Sequence, residues 1–305
     1  MKKKIIIAAA AVVLVIIGAA ALRKAAASGD QKTYVISSGG SVTFENATQT
    51  VKDIRAAFGR RASGIHISYT SHSDHMSEIS PIVDELMGYA LEETDDPKEG
   101  DYLRHQYGGY TTRYGYTEQN GTYSYEVTIV PDYYTYPEQE KEVDAEVDRI
   151  IQSLGFTSST TDYEKVKAIY DYICDTVIYD RIHAKNPYYH LKTTAYAALI
   201  NHTAVCQGYA VGLYRLFREA GLSARVITGM AVDPEDGSQQ NHAWNIVSVD
   251  GRFYNVDATW DDIIGGRDYF LKCSEEFPDH IPGGEYLTDE FLTEYPMAEE
   301  SYGKV

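Results

Sequence analysis

The chain has 305 residues, 44% apolar and 24% charged, a globular composition that excludes wholesale disorder. Acidic residues outnumber basic ones 45 to 27, for a formal charge of −18; such a surface repels phosphate backbones and excludes nucleic acid as a partner. Three cysteines, Cys174, Cys206 and Cys273, are odd in number and form no closed disulfide framework.

Lys2, Lys3 and Lys4 precede an unbroken run of apolar and small residues from Ile5 to Leu22, followed by Arg23 and Lys24. As a helix this run reaches about 27 Å, just short of a hydrocarbon layer of roughly 30 Å. It is longer than the core of an ordinary cleavable signal. Residues 1–32 are therefore expected to be a membrane anchor or signal segment with a short linker. The heavier basic flank keeps the start cytoplasmic, which puts the rest of the chain outside a single-pass cell membrane. Cleavage at Ala25-Ala26-Ala27 is the alternative, and gives a secreted protein.

Residues 33–156 mix helical and strand patterns and are expected to form a small α+β domain of unassigned role. Ser80-Pro81 suits a helix start, with Ile82, Val83, Leu86, Met87, Ala90 and Leu91 following at helical spacing. Tyr114, Tyr116, Tyr123 and Tyr125 alternate about Asn120-Gly121, a hairpin signal. Half-buried strands account for the tyrosines better than a sugar- or peptide-stacking surface does. Val143, Val147, Ile150, Ile151 and Leu154 mark a helix ending near Gly155. His66, His72 and His75 match no common ligand spacing and read as a solvated loop.

Residues 157–305 carry the chemistry. Val166, Ile169, Tyr170 and Ile173 line a helix face beside Cys174, which reads as a small core residue. Asp268–Cys273 reads as a strand, and Cys273 is a candidate disulfide partner for Cys174. Cys206 begins a helix whose residues Ala210, Leu213, Phe217 and Ala220 form one apolar stripe before Gly221. There a thiolate meets unpaired amides that also suit an oxyanion. A helix end supplies only about 0.3–1 kcal/mol, while a free thiol ionises near pH ~8.5. A cationic imidazole is needed as well.

His242–Val249 and Arg252–Asp257 flank Asp250-Gly251, a favoured two-residue hairpin turn. With Val249 paired to Arg252, Trp244 lies opposite Asp257, and His242, Trp244 and Asp257 share one face. His242 and Asp257 become diagonal neighbours about 7–8 Å apart, within reach of an imidazole–carboxylate contact. Cys206, His242 and Asp257 are the candidate catalytic nucleophile, base and orienter. No cofactor-binding or metal-binding pattern is expected.

Ala204-Val-Cys-Gln-Gly-Tyr-Ala210, Gly221–Gly229, Asn241-His-Ala-Trp-Asn-Ile-Val247 and Asn255-Val-Asp-Ala-Thr-Trp-Asp261 resemble the transglutaminase-like superfamily of papain-like thiol enzymes. They are closest to its bacterial branch grouped with cytokinesis-type transglutaminase/protease-like proteins. Tyr179-Asp180 and Thr194–Leu199 add to the likeness, which runs from about Tyr163 to His280. It implies a papain-like α+β core with a central helix on an antiparallel sheet, and gives Cys206, His242 and Asp257 the same roles. It also implies an aromatic that assists the oxyanion, for which Tyr179 and Tyr196 are candidates. The expected activity is acyl transfer through a thioester on peptide or glutamine-type amides, as a protease or a transglutaminase, with protein or peptide substrates that include those of the cell envelope. The alternative is a non-catalytic cell-surface binding or scaffolding module. Trp260 reads equally as a cleft wall or a core residue.

Overall fold

The computed structural model describes residues 33–36, 40–43, 47–72, 74, 76–233 and 237–303, with side chains from Gln49 onward. The expected anchor at residues 1–32 and His75 lie outside them; among the described residues no helix is long and apolar enough to cross a membrane. The described chain divides into two units. One holds the residues up to Asp95 together with Tyr107–Tyr133, the other Asp96–Gln106 with everything from Tyr134 onward.

The first unit is a five-stranded sheet with two helices. In chain order it runs β1 (Thr33–Ile36), β2 (Gly40–Thr43), α1 (Ala47–Gly59), β3 (Ile65–Ser71) and α2 (Ile79–Ala90). After an excursion into the second unit come β4 (Tyr107–Gln119) and β5 (Thr122–Tyr133). The sheet order β2-β1-β3-β5-β4 is antiparallel throughout. Asn120 and Gly121 both have positive φ, 54° and 75°, so the β4–β5 hairpin closes on the tight turn that its sequence predicts.

Ile65, Ile67 and Tyr69 alternate inward on β3 and meet Tyr125, Val127 and Ile129 of β5 and Ile54, Phe58, Val83 and Met87 of the helices in being buried. The tyrosines are thus strand residues: Tyr69 stacks on Tyr125 with ring centroids 4.6 Å apart. Two local readings are corrected. His66 lies within β3, where its Nδ1 is 2.9 Å from Thr128 Oγ1, rather than in a loop. Helix α2 starts at Ile79 behind Glu78, so Ser80 falls inside the first turn and caps nothing.

The second unit begins with α3 (Asp101–Arg104) and continues with α4 (Pro137–Leu154), α5 (Asp162–Thr176), the two-residue strand β6 (Ile178–Tyr179) and the 3₁₀ turn His190–Thr193. Then come α6 (Ala195–Leu199), β7 (Thr203–Ala204), α7 (Cys206–Glu219), β8 (Ala224–Val232), β9 (Gln239–Val249) and β10 (Arg252–Val256). The chain ends with α8 (Ala258–Ile264), β11 (His280–Pro282) and α9 (Asp289–Glu294). Strands β10-β9-β8-β11 form an antiparallel sheet. Helix α4 packs on α6 and α7, so the Ser/Thr-rich stretch 157–161 falls inside this unit.

Helix α7 is central. Every residue from Gly208 to Phe217 is buried, so the single stripe expected from Ala210, Leu213 and Phe217 understates it. The helix packs on α5, α6, β8 and β9 together, which leaves no face for water. Its polar members are paired accordingly: Arg215 reaches Glu219 and Asp144. Behind the sheet, Asp101 accepts two hydrogen bonds from Arg225, at 2.8 and 3.1 Å, and one from the amide of Val226 at 2.8 Å. Asp268–Cys273 is not a strand. Only Lys272 makes an isolated bridge, to Asn255, and Leu271 sits at φ 49°, which breaks an extended run.

Candidate active site

Cys206 is the first residue of α7 and is half-buried. Val205 ahead of it is extended (φ −96°, ψ 176°) and caps the helix without a side-chain hydrogen bond. The amides of Gly208 and Tyr209 donate back to Val205 O at 2.8 and 3.1 Å. The amides ahead of them therefore point out of the helix end, beside the thiol.

Neighbouring elements hold this helix start in place. The Val205 amide donates to Lys192 O at 3.0 Å, and β7 runs parallel to β6. Asn245, buried in the middle of β9, donates its Nδ2 to Ala210 O (2.9 Å) and Arg225 O (3.2 Å), which ties α7 to the sheet.

The second half of the site comes from the hairpin. Asp250 and Gly251 take φ 53° and 80°, and the strands pair from Arg252↔Val249 to Val256↔Asn245. This register places His242 and Asp257 on one face, with His242 Nε2 2.7 Å from Asp257 Oδ2. An ionised carboxylate only accepts, so the imidazole donates from Nε2. Its other nitrogen stays free for the Cys206 thiol, which lies close enough to help raise the pKa of the ring. The remaining carboxylate oxygen, Oδ1, accepts from the amides of Thr259 (2.9 Å) and Trp260 (3.3 Å) and so caps α8. Asp257 is therefore immobilised from both ends.

A residue that the sequence did not single out completes the cluster. His280, the first residue of β11, places its Nε2 3.0 Å from the same Oδ2. One carboxylate oxygen thus accepts from two imidazoles. The ring of His280 is walled by Phe277, Trp260 and Trp244, with centroids 3.9, 4.6 and 5.0 Å away. Trp260 also lies 5.8 Å from the ring of His242, so it is a wall of the site. Nothing in the spacing of Phe277-Pro-Asp-His280 announces this placement. The strand is three residues long, too short to show alternation.

The charges follow from this packing. Burial disfavours the charged form of His242, yet the Asp257 carboxylate, its hydrogen bond and the adjacent Cys206 outweigh it and push the imidazole up to about 10. Burial likewise opposes ionisation of Asp257, and the two imidazoles overcome it, holding the carboxyl well below its usual range. At His280 burial outweighs the Asp257 hydrogen bond, and its pKa falls below the ordinary imidazole value. One carboxylate thus supports one imidazolium and one neutral ring.

His242, Asp257 and His280 offer ligand atoms within 4.8 Å of one another, a spacing that suits a metal ion. Here both Nε2 protons are committed to a single carboxylate oxygen, so the group is arranged as a hydrogen-bonded fork.

The two candidate oxyanion aromatics part company. Tyr179 is pushed above the usual phenol value by burial and by Cys206, so it lies within electrostatic reach of the thiol. The hydroxyl of Tyr196 instead donates to Glu142 at 2.9 Å in an exposed position. Cys174 and Cys273 are both buried free thiols, which replaces the candidate disulfide. Burial pushes Cys174 up to about 12, so it stays protonated and inert at neutral pH.

A model of the transglutaminase-like superfamily matches residues 153–258. Kyphoscoliosis peptidase of Homo sapiens is 30% identical over 121 residues, which make up 37% of this chain and 18% of that protein. The protein of the same name from Mus musculus is 29% identical over 106 residues, 33% of this chain and 16% of that one. This chain therefore spans less than a fifth of the length of the curated relatives it matches. A solved structure described as a TGase is 22% identical with a TM-score of 0.35, covering 48% of this chain and 44% of its own. On the family match, the chain carries a transglutaminase-like domain.

Proposed function

We propose that this protein is a thiol acyl-transfer enzyme acting on peptide or glutamine-type amide bonds, with Cys206 as nucleophile, His242 as acid and base and Asp257 as orienter. The observation that carries this reading is a thiol at a helix N-terminus in the electrostatic neighbourhood of His242, whose ring donates to a carboxylate fixed at both oxygens. In the first step the Cys206 thiolate attacks the amide carbonyl carbon and a C–S bond forms. The C–N bond breaks as the His242 imidazolium gives its proton to the departing amine, leaving a thioester. Water or a second amine, deprotonated by His242, then attacks the thioester, and the thiolate leaves. In this reading the helix-end amides stabilise the oxyanion, and Tyr179 is the aromatic that assists them.

The matched relatives are named peptidases, which favours water as the acceptor. The apolar run Ile5–Leu22 with its basic flanks supports work at a membrane, outside the cell, as an anchored or secreted protein.

The test is incubation with glutamine-containing peptides, with and without a primary amine, read by mass spectrometry. Hydrolysis yields shortened or deamidated peptide, and amine transfer yields the amine adduct. Cys206→Ala is expected to lower either product by at least about a thousandfold. Equal turnover by wild type and variant sinks the proposal. Absence of turnover, with Cys206 alkylated no faster at pH 6 than an ordinary thiol, favours the non-catalytic binding module.

A further inference from the structure

Residues 181–191 leave and return beside the nucleophile. The Asp180 amide donates to Ala204 O at 2.8 Å, and the Val205 amide donates to Lys192 O at 3.0 Å, so both ends of the loop are pinned to the two residues preceding Cys206. Inside, the loop is stiff. The buried Lys192 ammonium donates to the carbonyls of His183, Ala184 and Asn186. Asp180 accepts from the amide of His183 (2.9 Å) and from its ring (2.8 Å). Asn186 accepts from the amide of Tyr188 at 3.0 Å, and the rings of His183 and Tyr189 meet at 4.4 Å.

On this braced frame two large apolar side chains face solvent. Ile182 is 87% exposed and Tyr188 is 88% exposed. A loop with so many internal bonds does not expose them through slackness. Arg181 stands just ahead of Ile182 and Lys185 lies between the two, both exposed, and residues 181–193 contain no Asp or Glu. In a chain with 45 acidic and 27 basic residues, this positive, apolar stretch beside the nucleophile runs against the overall charge.

We propose that the loop 181–191 is the docking element for the polypeptide that carries the reacting amide, and that it selects acidic segments bearing an aromatic or aliphatic side chain. The net charge of the molecule points to cationic partners; the charge of the loop itself points the other way, and at contact distance the local term decides. Two large apolar side chains held in solvent on a braced loop, whose ends are pinned beside the thiol, suit recognition of a partner. Arg181 and Lys185 meet the acidic side chains of the substrate, and Ile182 and Tyr188 cover its apolar one. A membrane surface is the competing occupant for such a stretch. It is disfavoured because both loop ends are fixed to the backbone that presents Cys206, whose chemistry needs a peptide.

This inference rests on the thiol-enzyme reading above, and the experiment separates the two. The probes are three peptidyl vinyl sulfones of equal length that alkylate Cys206, with Asp-Phe, Lys-Phe or Asp-Gly ahead of the reactive group. Each rate is divided by that of iodoacetamide on the same protein. The Asp-Phe probe is expected to react about fivefold faster than either of the others at low salt, with the charge preference fading near 1 M salt. The double variant Arg181→Glu/Lys185→Glu reverses the Asp-Phe to Lys-Phe preference, and Ile182→Ser/Tyr188→Ser removes the advantage of Phe. Rapid iodoacetamide labelling with no preference among the peptides, or a preference for Lys-Phe, overturns the docking proposal and leaves the enzyme standing. Cys206 reacting with iodoacetamide only as an ordinary thiol brings down both. Pelleting with phosphatidylglycerol vesicles that is lost in Ile182→Ser/Tyr188→Ser, with no peptide preference, assigns the loop to a membrane and overturns it too.

Discussion

Asp257 Oδ2 accepts from both His242 and His280, and this shared oxygen sets the electrostatics of the site. Each donor draws charge from the carboxylate, so His280 weakens the pull of Asp257 on His242. His280→Phe fills the same aromatic-walled space while removing the donor. The pH at which the His242 imidazolium signal disappears in NMR is expected to rise, because the Asp257 oxygen then serves His242 alone. A purely structural role for His280 lowers stability and leaves that midpoint unchanged, and this result rejects the assignment. The His242–Asp257 pair was legible because Asp250-Gly251 admits a single register, and parity then places both side chains on one face. His280 lies 23 residues from Asp257 in sequence and reaches it on a three-residue strand, for which no periodic signal exists. The lone helix-start cysteine was legible by position. That Tyr196 is held by Glu142 depended on packing that its sequence neighbours do not encode.

At the scale of elements, helix α7 carries the nucleophile because its first turn sits unusually close to the chain before it. A Cβ at Gly208 falls 2.8 Å from Lys192 O and 2.7 Å from the Ala204 side chain, so only glycine lets the helix start lie against the residues that pin the 181–191 loop. Helix propensity favours Gly208→Ala by about 1 kcal/mol, but the collision is with a carbonyl and a short side chain, neither of which rotates away. The net effect is expected to be a loss of about 1–3 kcal/mol, read as a lower urea midpoint, together with slower alkylation of Cys206. Gly59→Ala, where an added methyl meets nothing within 4 Å, is the control, and a matching shift there removes the steric argument. Sequence patterning found α7 and misjudged its surroundings. One apolar stripe was visible, whereas the structure packs helices on the sides that the sheet leaves free, and small residues such as Gly208 and Gly212 mark those contacts rather than any hydrophobic periodicity. The same limit applies at Asp268–Cys273, where the apolar run Tyr269–Leu271 suggested a strand and Leu271 at φ 49° interrupts it.

For the molecule as a whole, histidines of opposite character set the dependence of stability on pH. His105 is buried near Arg104 and Arg225; burial is the main cause, and it brings the imidazole down to about 4 although Asp101 lies close by. His280 is lowered in the same sense, whereas His242 is raised to about 10. Between pH 6.5 and 4 the unfolded chain takes up a proton at His105 that the folded chain refuses, so stability falls as the pH drops through this window. From the size of the shift His105 accounts for on the order of 3 kcal/mol, fully lost near pH 4. His242 works in the opposite sense. Its folded form holds the proton more tightly, so its contribution is complete below about pH 6.5 and is lost as the pH rises towards 10. Stability is therefore expected to peak near pH 6 to 7 and to decline on both sides. The only tryptophans, Trp244 and Trp260, both belong to the second unit, so their fluorescence during urea unfolding follows that unit alone. Urea midpoints measured from pH 4.5 to 9 are expected to trace this peak, and His105→Asn is expected to flatten its acid side while leaving the alkaline side in place. An acid slope that survives in His105→Asn assigns the loss to His280 and the carboxylates instead, and a stability that climbs steadily from pH 7 to 9 contradicts the raised imidazole of His242.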